Sequence, residues 1–233
     1  MSRLDEMTWP EVTGRAGTGA LLLIPFGSTE QHGPHLPLST DTDIARAVAE
    51  GVDARLADVM VAPALSYGSS GEHQGFAGTL SIGQEATELL LVELGRSAAE
   101  HFAHIVVVSA HGGNATALAR AMARLSTEGR AVVSWSPSWP GDLHAGRTET
   151  SLMLCIAPDR VRVDLAEPGD LRTIDVLLPL MRLHGVQLIS ANGVLGDPDG
   201  ASADEGDALL AGAVDDLCRT ISELRAETKG AKA

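Results

Sequence analysis

Four short apolar runs divide the first 136 residues: GALLLIPF (19–26), VMVAPAL (59–65), HIVVVSA (104–110) and RAVVSWS (130–136). Each is leucine-rich or β-branched and ends in Gly, Ser, Pro or His, which predicts buried parallel strands. Between them DTDIARAVAEGVDARL (41–56), GQEATELLLVELGRSAAEHF (83–102) and NATALARAMARLSTEG (114–129) carry apolar positions at helical spacing. The expected order is therefore βαβαβαβ. Farther on, ETSLMLCIA (149–157) predicts a short helix stopped by Pro158, and LRTIDVLLPLMRLHG (171–185) and DEGDALLAGAVDDLCRTISELRAE (204–227) predict two more. GVLGDPDGASADEG (193–206) is expected to be a surface loop rather than a linker, and TKGAKA (228–233) a frayed tail.

Composition narrows this picture. The 233 residues are 44% hydrophobic and only 3% aromatic, which suits helices packed on a sheet within one domain spanning 1–233. A net charge of −14 disfavours nucleic acid as a partner. No apolar run approaches the roughly 18 to 20 residues of a membrane span, and no secretory signal pattern opens the chain. Cys155 and Cys218 show no CxxC spacing, and Cys155 is expected to be a buried reduced thiol. A cytoplasmic protein with no membrane partner is the expectation.

Candidate chemistry gathers where strands end, the place at which α/β sheets bind ligands. Glu30 and His32 are two residues apart in GSTEQHGPHLPLSTDTD (27–43), so in an extended chain both project to one side and can reach one metal. Asp41 either caps the next helix or leans back into the same pocket; the bland alternative is a polar loop with Asp41 or Asp43 capping and the histidines solvated. His111 follows the third strand in SAHGGNA, with Asn114 able to cap the helix beyond it. DLHAGRTETS (142–151) adds His144 and Glu149, or else Thr148 or Thr150 caps a helix and His144 lies on the surface. Carboxylates mixed with imidazoles suit zinc, manganese or ferrous iron, and there are enough for two ions with Asp41 able to bridge them. Two metals sharing a water favour hydrolysis. No GxSxG, GxGxxG or P-loop sequence supports a rival chemistry.

GSTEQHGPHLPLSTD, GEHQGFAGTLS, HGGN and HAGRTETS, in this order, resemble the creatininase family of metal-dependent amidohydrolases. The resemblance implies a three-layer α/β/α fold with a mostly parallel central sheet, two divalent metals, and hydrolysis of a non-aromatic C–N amide bond. It also implies ligands: Glu30, Asp41 and His111 for one metal, His32 and bridging Asp41 for the other. Creatininase has a glutamate where Gly113 stands here, so the second site is either open or completed by Glu149, which is expected to be a metal ligand or a catalytic residue. Arg147 replaces a customary glutamate and is expected either to pair with a substrate carboxylate or to be a plain surface arginine. YGSSGEHQGFAGTLSIG, HAGRTETS, LLPLMRLHGV and GVLGDP are similar to those members that cleave a radical-modified precursor peptide, releasing its C-terminal Val-Tyr unit with iron or zinc. A homo-oligomer, hexamer or octamer, is implied as well.

Roles follow as expectations. His144 protonates the leaving nitrogen or steadies the oxyanion. Glu72 and His73 are pocket residues for catalysis or form a structural loop bond. Trp135 and Trp139 pack on substrate or seal a loop or interface. The alternatives are a small cyclic-amide or formamide hydrolase, and a non-catalytic metal-binding scaffold.

Overall fold

Successive side chains of β1 (Leu21–Phe26) point to opposite faces of the sheet, and all six are buried, so this strand has no solvent face. Leu22, Ile24 and Phe26 pack with Leu91 and Val92 of α3 (Gly83–Ala98) and with Leu118, Ala121 and Leu125 of α4 (Ala115–Thr127). Leu21 and Leu23 pack on the other side with Val48 and Val52 of α2 (Thr40–Arg55) and with Val214, Leu217 and Ile221 of α7 (Ala203–Gly230). Two apolar layers thus sandwich one sheet, the three-layer α/β/α arrangement. The computed structural model describes residues 2–139 and 141–230.

The sheet runs in the order β2-β1-β3-β4, with β2 (Val59–Val61), β3 (Ile105–Ser109) and β4 (Val132–Trp135), and every pair is parallel. All four expected strands are present, though β2 stops at Val61, just before Pro63, which has no N–H for a ladder. Leu65 keeps one isolated bridge to Phe26. α5 (Arg147–Ile156) ends before Pro158 as anticipated, and α6 (Ile174–His184) carries Pro179 within it.

Several expectations need correction. α1 (Trp9–Ala16), held by a capping box between Thr8 and Glu11, has too few periodic positions to be legible. α7 continues helically through Gly230, three residues into the expected frayed tail, whose remainder, 231–233, lies outside the described residues. Cys155 is half-buried rather than buried, and Cys218 is half-buried as well. The 193–206 segment is not wholly a surface loop: Gly193, Val194, Leu195 and Gly196 are buried. No helix among the described residues is long and apolar enough to cross a membrane.

Candidate metal centre

At the end of β1 the chain passes so close to α2 that a Cβ on Gly27 would lie 2.3 Å from the Thr42 nitrogen. Only glycine permits this approach, and it turns the first turn of α2 onto the strand end. There Ser28 Oγ donates to Asp41 Oδ2 (2.7 Å) and Thr42 Oγ1 donates to the Ser28 carbonyl (2.9 Å), so Asp41 leans inward instead of capping. Asp43 faces away and accepts from Ser39, Arg46 and Arg160. The loop before α2 closes on itself through the Glu30 N–H to the Leu38 carbonyl and a bridge between His32 and Leu36.

The other strand end arrives similarly. Asn114 does not cap α4 with its side chain; its Oδ1 accepts from the Ser69 N–H (2.9 Å) and its Nδ2 donates to the Gly27 carbonyl (3.0 Å). One amide thereby ties together the loops after three strands and sets His111 beside Asp41. His144 is buried and its backbone pairs with Leu195. Glu149, in the first turn of α5, accepts the Ala145 N–H at Oε2 (2.6 Å), with Ala145 in the left-handed region at φ 53°. Thr150 binds His35, which leaves His35 out of the cluster.

Asp41 stands at the centre. Its Oδ1 is 3.2 Å from His32 Nε2 and its Oδ2 is 3.2 Å from His111 Nδ1. His32 Nδ1 lies 3.2 Å from the Glu30 carbonyl, and His111 Nε2 lies 2.9 Å from the Ser69 carbonyl. An N–H donated at each of these positions leaves the opposite ring nitrogen, the one facing Asp41, with a lone pair. His111 Nε2 is also 3.1 Å from Glu30 Oε2, and His32 Nε2 is 3.9 Å from Glu149 Oε2.

Among the described residues, three side-chain groups have donor atoms close enough to share an ion: Glu30, Asp41 and His111; His32, His144 and Glu149; and Glu30, His73 and His144. The first matches one implied ligand set. The second keeps His32 with Glu149 but groups them with His144 rather than Asp41.

Electrostatics fit cations here. Burial lowers His32, but Asp41, Glu149 and Glu30 outweigh it and raise the ring to about 10. His111 is likewise lowered by burial and raised more strongly by Glu30 and Asp41, to about 10. Burial pushes Glu30 up to about 8 although His111 opposes it. Burial also acts to raise Asp41, but His32 and His111 hold it well below the usual carboxylate range. Both Glu30 oxygens are buried without a hydrogen-bond partner among the described residues. Bare carboxylate oxygens beside inward lone pairs, with protons drawn onto the same nitrogens, are what divalent ions would replace.

Gln31, which the sequence did not single out, arranges the histidines. Its carbonyl lies 2.8 Å from His144 Nε2, so that nitrogen donates and Nδ1 is left open. The Gln31 amide Nε2 is 2.8 Å from His73 Nδ1 and 3.1 Å from the Gly193 carbonyl, which uses both of its hydrogens. Burial, then the cationic His32, keeps His144 well below its ordinary basicity and His73 down to about 3, with His111 adding to the effect on His73.

A cavity of about 880 Å³ opens over the cluster, lined by Glu30, Asp41, His111, Glu149, Glu72 and His73 among others. Trp135 and Trp139 are elsewhere: they line a smaller recess against α7, where Trp135 Nε1 donates to Asp216 (2.8 Å). Arg147 also lies off this cavity, its Nε donating to Glu205 on α7 (2.8 Å). Both expected substrate contacts are thus engaged in fastening α7. A Cβ on Gly113 would lie 2.3 Å from Glu72 Oε1, so the glycine leaves room for that carboxylate.

Residues 5–221 match the family model Creatininase, described as creatinine amidohydrolase. The mycofactocin precursor peptide peptidase of Mycobacterium tuberculosis is 50% identical over 224 residues, covering 91% of this chain and 89% of the relative. Solved structures of a Zn–Zn type mutant creatininase and of a creatininase with Mn superpose with TM-scores of 0.79 and 0.78. Each is 26% identical and covers 95% of this chain, with 97% and 98% of the respective neighbour covered.

Proposed function

The chain belongs to the creatininase family, and from that premise we propose that it is a metal-dependent peptidase of mycofactocin biosynthesis, hydrolysing the modified precursor peptide to release its C-terminal Val-Tyr-derived unit. One observation carries the chemistry: Asp41 presents one oxygen toward His32 and the other toward His111, the disposition needed by a carboxylate shared between two ions. The 50% identity to the mycobacterial peptidase supports the substrate.

Glu30, Asp41 and His111 would hold one ion, and His32, Glu149 and the second oxygen of Asp41 the other. Two divalent ions, iron or zinc with manganese a third choice, supply Lewis acidity that activates water and polarises an amide carbonyl. The protein's own groups do the rest. Gln31 fixes the His144 ring with Nδ1 free, 4.0 Å from Glu30 Oε1. Neutral at pH 7, His144 can accept a proton at that nitrogen and deliver it to the leaving nitrogen. Glu72 and His73, on the cavity wall, orient the substrate and the Glu30 carboxylate; His73 Nε2 is 3.4 Å from Glu30 Oε1.

In this reading residues 1–233 form one amidohydrolase domain in a cytoplasmic homo-oligomer, a hexamer or octamer. Family likeness supports the assembly, as do the exposed apolar residues Ile174 and Val176 of α6. The test is to incubate metal-loaded protein with the modified precursor peptide and follow products by mass spectrometry. Release of the C-terminal fragment by the parent, lost in Asp41→Ala, is expected. An intact peptide with two ions bound would redirect the chemistry to a small amide.

A further inference from the structure

Fourteen of the fifteen arginines bind a carboxylate or a carbonyl through the guanidinium. The exception is Arg182, which has no side-chain hydrogen bond or ion pair among the described residues. Among the described residues it is also the one Lys or Arg on the wall of the cavity that holds Glu30, Asp41, His111 and Glu149. In a chain with 31 acidic and 17 basic residues, partners for a guanidinium are plentiful, yet this one is left solvated at the approach to the centre.

Its position is constrained. α6 ends at His184, and directly beyond it the Val186 N–H donates to the Glu72 carbonyl (2.8 Å). A Cβ on Gly185 would come within 3.1 Å of that same oxygen. The last turn of α6 is thereby docked on the Glu72 loop, and Arg182 overlooks the cavity from it, beside the exposed His184. A protein of net charge −14 repels anionic substrates over most of its surface, so a local cation has most effect at the entrance.

We infer that Arg182 is a specificity residue that anchors a carboxylate of the substrate peptide at the cavity rim. The inference rests on the peptidase reading. A guanidinium fork matches a carboxylate in two-point fashion, which an ammonium does not. The carboxylate has two sources in a peptide, an Asp or Glu side chain or the free C-terminus, and the experiment separates them.

Metal-loaded parent, Arg182→Gln and Arg182→Lys proteins are assayed on three peptides: the acidic substrate, one with Asp and Glu replaced by Asn and Gln, and one amidated at its C-terminus. At low salt Arg182→Gln raises KM for the acidic substrate about fivefold and leaves kcat within about twofold, as for an exposed charge pair. Arg182→Lys recovers part of the loss. One of the neutralised peptides shows the same raised KM with the parent and is indifferent to Arg182→Gln, and it identifies the carboxylate. An unchanged KM, an equal rise for all three peptides, or a shift in assembly mass by sedimentation in Arg182→Gln would overturn the inference. A parent that cleaves none of the peptides would remove the peptidase reading and this inference together, an outcome distinct from a parent that cleaves all three regardless of Arg182.

Discussion

His144 and Leu195 exchange backbone hydrogen bonds across 51 residues of sequence: the His144 N–H donates to the Leu195 carbonyl (3.2 Å) and the Leu195 N–H donates back (2.9 Å). This bridge explains why the first half of a Gly- and Asp-rich loop is buried. It clamps the histidine over the carboxylate cluster, and Gln31 then fixes the ring.

His144→Ala is expected to retain metal and to lose turnover by roughly a hundredfold or more, the scale of a lost general acid–base group. Metal analysis beside steady-state kinetics checks this. An unchanged rate would sink the proton-transfer role; loss of one ion would make His144 a ligand with His32 and Glu149, which the geometry also brings together.

Gly193 sits at φ +80°, and a Cβ there would lie 1.9 Å from Gln31 Oε1. Gly193→Ala should therefore strain the backbone and push the Gln31 side chain away from His73 Nδ1. We expect a loss of about 1–3 kcal/mol in denaturant unfolding and a fall in kcat. Unaltered unfolding and kinetics would mean that Gln31 is dispensable.

Asp41 and Asp43 are neighbours in one helical turn with opposite duties. Asp41→Asn should hold fewer than one ion per chain because the shared ligand is lost. Asp43→Asn should keep full metal content and lose about 1–2 kcal/mol, since Asp43 is buried against two half-exposed arginines, Arg46 and Arg160. Equal metal loss in the two variants would argue against a bridging Asp41.

Without metal, His32 and His111 are raised to about 10 and Glu30 to about 8, so all three hold protons at pH 7. Ions must displace these protons. The metal-free state binds more protons than the loaded one, so affinity should weaken as pH falls and strengthen as pH rises through 8. Titration calorimetry in buffers of different ionisation enthalpy should detect net proton release on metal binding at pH 7. A buffer-independent heat would contradict the protonation scheme.

Much of the fold was legible locally. The β-branched runs, the helical spacing between them and the stop at Pro158 each depend on a few adjacent residues. Burial of a strand on both faces is written in its unbroken apolar run, as in Leu21–Phe26. The cluster was partly legible for the same reason: parallel strands all deliver their carboxyl ends to one edge, so Glu30, His32, Asp41 and His111 had to converge there.

Tertiary structure alone decided the partners that come from far along the chain. Trp135 found Asp216 and Arg147 found Glu205, 81 and 58 residues away, and both were thereby withdrawn from the cavity. Arg182 found no partner among the described residues and stayed at its rim. Gln31 carries no pattern of its own, yet the closure of the Gly193 loop makes it the link between His73 and His144. Periodicity and turn chemistry are properties of neighbouring residues and survive in the sequence. Which loop closes on which depends on the packing of whole layers, and no short stretch of residues encodes that.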